Sequence, residues 1–198
     1  MFDFLNPPIL ENERVLLRPL EAADEEHLLP FALNEPEIWT YSLISAAGAE
    51  ALNAYIRAAL LAKAEKKELP FIVFDKKTQK YAGSTRFYDI QPLHQTTQLG
   101  YTWYGKNFQQ TGLNRHCKWL MLSFMFDTLG WERVEFRADN QNARSIAAMK
   151  KIGCVEEGIL RRHTTKPNGQ RRDSIVLSIL RAEWEGGVCE RLKKLISE

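Results

Sequence analysis

Gln109, Gln110, Thr111, Gly112, Leu113 and Asn114 lead into a long apolar stretch, and Asn142 and Ser145 stand three apart just beyond Asp139-Asn-Gln141. A strand that runs through a glycine-containing turn into a helix leaves the first N–H groups of that helix without intrahelical partners, and such groups bind phosphate oxygens. The turn at 109–114 therefore either holds a phosphorylated ligand or only caps its helix. Asn140 or Asn142 is by type a good N-cap and Ser145 a tolerated first-turn residue, so this stretch reads as a cap unless a ligand claims it. Arg161, Arg162, Lys166, Arg171 and Arg172 put five positive charges and no acid between positions 161 and 172. They read either as a solvated face or as an acceptor wall in which Arg161 and Arg171 bind carboxylate or phosphate. His163 is the best proton acceptor by type in this run, and otherwise an exposed strand histidine.

The elements that must position these groups follow from hydrophobic period and breakers. Residues 13–19 alternate toward Val15 and Leu17 as a strand, and Glu21 to about Asn34 reads as a helix that Pro30 should kink or end. A loop over 34–41 carries Trp39 and Tyr41, which serve either as its hydrophobic anchor or as the wall opposite the basic hairpin. Ser45 can cap a helix over about 46–67. Strands are expected at 70–75, 80–90 and 96–104, the first two joined by Asp75-Lys-Lys-Thr-Gln79. Arg86 and Tyr88 alternate with Phe87 on the second of these, beneath the acceptor site. A helix over about 111–129 buries Leu113, Cys117, Leu120, Met121, Phe124 and Phe126. A strand at 132–138, a helix at about 142–152, a hairpin of 154–163 with 170–180 turned by Lys166-Pro-Asn-Gly169, and a last amphipathic helix over 182–196 complete the chain. Strands come first and then alternate with helices, which predicts a mixed α/β (α+β) domain of about seven strands, mostly antiparallel, with helices on both faces.

A chain of 198 residues with 44% hydrophobic content suits one domain, taken as 1–198. Its 27 basic and 25 acidic residues give a net charge of +2, too weak a field to make nucleic acid or membrane a direct partner. Cys117, Cys154 and Cys189 show no metal-ligand spacing and read as reduced thiols, so no metal is expected. Met1 to Pro8 has no basic n-region, and no apolar run approaches the roughly 18 residues of a membrane span. The expectation is a soluble cytoplasmic chain, compatible with a homodimer.

Gln109-x-x-Gly112-x-Asn114, the strand near 132–138, the Asn142-x-x-Ser145 pair and Lys151-Ile-Gly-Cys-Val-Glu-Glu-Gly158 together resemble the GNAT superfamily of acetyl-CoA-dependent N-acetyltransferases. The match looks closest to the branch that includes the ribosomal-protein N-terminal acetyltransferases, and it extends from Glu13 to Trp184. The resemblance implies acetyl-CoA as cofactor, with its pyrophosphate on the N–H groups of about Gln110 to Asn114. Its pantetheine arm would lie along the backbone of Tyr101, Thr102, Trp103 and Tyr104 like an added strand. Asn142 would contact that arm, and the Ser145 hydroxyl would protonate the leaving thiolate. Asn114 stands where the family usually has Gly or Ala, and either costs some phosphate contact or supplies an amide donor.

The acceptor is an amine that must be neutral to attack. Many GNAT enzymes place a Glu where this chain has Gln98, and Thr164 stands where some ribosomal-protein acetylators carry a base. Without a carboxylate base, an α-amine of pKa near 7.7–8.0 is an easier acceptor than a lysine near 10.4, by about 3.4 kcal/mol. The reading is acetyl transfer to a primary amine, foremost a protein or peptide N-terminus. A small-molecule acceptor and a CoA-binding module without catalysis stand as alternatives.

Overall fold

The computed structural model describes residues 3, 4 and 6–197. Eight strands form one sheet: β1 (Leu10–Glu11), β2 (Val15–Pro19), β3 (Leu69–Asp75), β4 (Lys80–Gln91), β5 (Thr96–Tyr104), β6 (Arg133–Asp139), β7 (Val155–Thr165) and β8 (Arg171–Leu180). Their order is β1-β2-β3-β4-β5-β6-β8-β7, antiparallel throughout except for the parallel pair β5 and β6. The strand beyond the expected seven is β1, whose two residues pair Leu10 with Leu17 and are too short to show any period.

Alternation along β3 shows how the sheet is covered on both sides. Leu69, Phe71 and Val73 join one apolar cluster with Cys117, Met121 and Met125 from helix α3 (Leu113–Ser123) and the π-helical stretch Phe124–Thr128 that continues it, together with Trp184 and Leu192. Ile72 points the other way, into a second cluster with Leu28 and Ala32 of α1 (Glu25–Asn34) and Leu52, Tyr55 and Ile56 of α2 (Ala49–Ala64). A fourth helix, α4 (Ala143–Lys151), contributes Met149 to the first cluster.

Three expectations are corrected. Pro30 does not end α1, which continues to Asn34 although Pro30 stands at its middle; the missing N–H forfeits one backbone bond, and Asn34 Nδ2 donates to Pro30 O at 2.7 Å. Ser45 does not cap α2: its Oγ accepts from Ala47 N at 3.2 Å, while Gly48, at φ 92°, is the N-cap. The expected last helix is interrupted at Gly187, at φ 131°, and regular α-helix resumes over Cys189–Ser197.

The feature that positions the site is a splay between β5 and β6. The two strands pair only at Thr96 with Arg133, Thr97 with Val134 and Gln98 with Glu135. Beyond these, β5 stays on β4 and β6 stays on β8, so a wedge opens between them. The cause is local. The β4–β5 register passes from Arg86 opposite Gly100 to Ser84 opposite Trp103, which sets Tyr101 and Thr102 against the single residue Thr85. Tyr101 takes up the extra length at φ 48°, a bulge that turns β5 away from its neighbour.

Candidate active site

The wedge widens into a cavity of about 490 Å³. Tyr101, Thr102, Trp103 and Tyr104 border it on the β5 side, and Phe136, Arg137, Ala138 and Asp139 on the β6 side. Each of these strand segments has lost its partner across the wedge, so each presents an edge that can accept an extended ligand. The Tyr55 hydroxyl reaches Tyr101 O at 3.5 Å and holds the bulge from the α2 side.

At one end of the cavity stands the N-terminus of α3. Gly112 is its N-cap at φ 87°, and a Cβ added there would meet nothing within 4 Å, so open space adjoins the first N–H groups of the helix. Gln109 ties the turn down, its Nε2 donating to Tyr104 O at 2.8 Å, and Arg144 of α4 donates to Gln109 Oε1 at 2.6 Å. Arg115, which follows Gly112 by three positions and donates to Leu195 O at 3.0 Å, and Lys151 of α4 line the same cavity. Backbone donors, a helix dipole and three cations suit a polyanionic phosphate group.

Across the wedge, Asn142 caps α4 through Oδ1, which accepts from Ser145 N at 3.1 Å. The half-buried Ser145 lines the cavity. Buried Lys118 reaches in from α3, its Nζ donating to Thr102 Oγ1 at 2.9 Å. Burial pushes its pKa down to about 8. The thiols of Cys117 and Cys154 are pushed up by burial to about 11 and about 12, so neither supplies a thiolate nucleophile near neutrality.

Residues 14–155 match the acetyltransferase (GNAT) domain family. The chain is a GNAT-family acetyltransferase. Its fold is also that of solved acetyltransferase structures. A Thermus thermophilus chain described as an acetyltransferase is 32% identical, with a TM-score of 0.85 over 96% of this chain and 97% of that one. RimJ of Mycobacterium smegmatis in complex with CoA-disulfide gives 18% identity and a TM-score of 0.77 over 91% and 88% of the two chains. The ribosomal-protein-S5-alanine acetyltransferase of Vibrio fischeri gives 19% and 0.72 over 89% and 98%. At these last two identities the likeness is one of fold.

In this acetyltransferase the wedge brings together most of the residues singled out from sequence. Gln109, Gln110, Gly112, Asn114, Asn142, Ser145 and the four β5 residues all line the cavity. Thr111 and Leu113 do not: Thr111 Oγ1 donates to Phe108 O at 2.8 Å, and Leu113 is fully buried in the core. Asn114 accepts the Tyr104 hydroxyl through Oδ1 at 3.1 Å, which leaves its Nδ2 as the donor toward the cavity. Of the residues expected to meet the acceptor, Trp39, Tyr41, Tyr88, Gln98 and His163 line the same cavity. Arg86 lies behind it, stacked 4.6 Å from the Tyr55 ring and 4.3 Å from the Tyr101 ring and bound to Glu68 at 2.6 Å. Arg161 and Arg171 border a second, outer cavity instead, and the Arg171 guanidinium donates to Thr165 Oγ1 and Arg162 O.

The cavity is also lined by Lys118, which no motif singles out, and by Arg172, which the sequence places only within the basic run of the hairpin. Lys118 follows Asn114 by four positions, the spacing that puts two side chains on one helical face, and that was the available signal. Arg172, next to Arg171, is buried in the main cavity, as strand alternation allows for one of the two and not the other. Asp139 brings a buried carboxylate into the wall, but it accepts the Gln141 N–H at 2.9 Å and pairs with Lys166 at 2.6 Å, so it organises the turn before α4.

Proposed function

We propose that this acetyltransferase moves an acetyl group from acetyl-CoA to an α-amine, foremost the N-terminus of a protein or peptide, by direct attack in a ternary complex. The observation that carries the reading is the wedge, a cleft with a phosphate-suited helix terminus at one end and an aromatic acceptor side at the other. Acetyl-CoA supplies the acyl group as an activated thioester. The N-terminus of α3, with Arg115, Arg144 and Lys151, would hold its phosphates, and the open β5 edge its extended arm. Asn142 Nδ2 would anchor that arm beside α4, and the Ser145 hydroxyl would hold a proton for the leaving sulfur.

The acceptor amine must reach the wedge neutral. Gln98 donates through Nε2 to Asp89 Oδ2 at 2.8 Å and is no base itself, and His163 shares a 3.3 Å contact between Nδ1 and Ser174 Oγ. With no carboxylate at position 98, an amine that is already partly neutral near pH 7 has the advantage. The name of the ribosomal-protein-S5-alanine acetyltransferase structure is in keeping with a protein acceptor. A small amine is the second reading, favoured by the Arg172 Nη1 bond to Tyr41 O at 3.3 Å, which draws the 36–41 segment toward the cavity.

Thiol release from acetyl-CoA in the presence of matched peptides tests the reading. Transfer to peptides with a free α-amine supports it, and transfer only to lysine side chains or aminoglycosides sinks it.

A further inference from the structure

Arg172 on β8 is 6% exposed and lines the main cavity. Its Nη1 donates to Tyr41 O at 3.3 Å, and its Nε has no hydrogen-bond partner. No carboxylate among the described residues forms an ion pair with it, and the acid that shares its wall, Asp139, is taken by Lys166 at 2.6 Å. Tyr88 and Tyr101 stand beside it with ring centroids 5.0 Å apart. Burial pushes both phenol pKa values upward, so neither ring supplies a negative charge. Burial also pushes the Arg172 pKa downward, yet a guanidinium stays charged in proteins. A buried cation with no ion pair of its own is costly, and Asp139, whose charge acts on Arg172 from the same wall, is already paired with Lys166.

Resting on the transfer reading above, we propose that Arg172 binds a carboxylate of the acceptor, so that the substrate is an amine that also carries an acid. Arg172, Lys166 and Asp139 together leave one positive charge, which one carboxylate neutralises, whereas a phosphate monoester would leave excess negative charge in a tyrosine-walled recess. The planar fork suits a carboxylate in two-point contact. That group is either the α-carboxylate of a free amino acid or an acidic side chain near a peptide N-terminus. The chemistry of recognition is the same in both.

Matched acids and amides separate the sources. The enzyme–CoA complex is titrated calorimetrically with free amino acids against their amides, and with Ser-Glu against Ser-Gln peptides amidated at the C-terminus. In one arm or the other the acid should bind roughly ten- to a hundredfold tighter than its amide, the range of a hydrogen bond to a charged group. Arg172→Gln should abolish that gap and Arg172→Lys should keep part of it. Preference for the free amino acid makes the acceptor a small molecule, and preference for the acidic peptide makes it a protein N-terminus. Equal binding of acid and amide in both arms overturns the proposal. Should Arg172→Gln not fold, the wild-type pairs and the lysine variant decide. Thiol release is scored separately: acid preference in binding without turnover on any amine sinks the transfer reading alone, and turnover without acid preference sinks this one alone.

Discussion

The ammonium of Lys118 lies 2.9 Å from the hydroxyl of Thr102, which in turn lies 2.7 Å from the hydroxyl of Thr85. The short chain joins α3 to β5 at its bulge and to β4 behind it. The charge also sits 5.8 Å from the centre of the Phe136 ring on β6, so one side chain spans the closed base of the wedge. Burial is the main influence on it, the neighbouring Cys117 and Cys154 are neutral thiols near pH 7, and no carboxylate among the described residues pairs with it. The ammonium is therefore held by geometry at a cost in stability.

Replacing Lys118 by Met should reveal that cost through its pH dependence. The folded chain binds this proton less tightly than the unfolded chain, so the penalty is full below pH about 8 and fades as pH rises toward the unfolded value. A gap of about 2.5 units corresponds to about 3 kcal/mol at most. Thermal unfolding of Lys118→Met should show a stability advantage over wild type near neutral pH that shrinks above pH 8. An advantage independent of pH would assign it to packing instead.

Gly112→Val should weaken acetyl-CoA binding, since its side chain would project into the open space beside the α3 N-terminus. The structure adds a cost that sequence alone does not: at φ 87° a β-branched residue is strained by about 1–2 kcal/mol. Calorimetric titration of the folded variant, with its melting temperature measured alongside, separates the two effects. Unchanged cofactor affinity would remove the phosphate end from this turn.

The strands at 70–75, 80–90 and 96–104 were legible because their alternation and turns survive in β3, β4 and β5 almost residue for residue. Tyr101 was not legible, because a left-handed tyrosine inside an alternating run looks like any other strand residue. The hairpin cations read as one patch for a related reason: composition does not say which strand parity faces inward, and the register puts Arg172 and Ser174 inside and Arg171 and Asp173 outside. Asn142 was legible as both cap and ligand contact, and the cap is made.

Because Asn142 caps α4, Asn142→Ala should both loosen acetyl-CoA and cost about 1 kcal/mol of stability. Ser145→Ala should behave differently, lowering kcat by roughly 10²-fold or less with cofactor affinity unchanged. Steady-state kinetics paired with cofactor titration tells the two apart. A fully active Ser145→Ala enzyme would take the proton-donor role away from this hydroxyl.

Activity should climb with pH and level off near pH 8 for an α-amine acceptor, as the amine itself becomes neutral. Peptides with a free α-amine should exceed matched lysine-only peptides by up to about 3.4 kcal/mol in kcat/KM. Gln98→Glu would set a new carboxylate against Asp89, where like charge raises the pKa of one of them toward the working range. That variant should narrow the preference for α-amines and move the pH profile down. A profile and preference identical to wild type would place the acceptor away from position 98.

The outer edge of the sheet is β7, an eleven-residue strand beside β8 with Val155, Ile159 and Leu160 exposed. A long apolar edge of this kind is a template on which a second chain can extend the sheet and begin to aggregate. Two register breaks, between Glu156 and Gly158 and between Leu160 and Thr164, interrupt the ladder, and the exposed Arg161 and Arg162 set charge in this strand, while Glu157 turns back to Arg133 and Ser178. Charges so placed in an edge strand oppose pairing with a second chain. Neutralising the hairpin to reshape specificity would strip that protection from the edge.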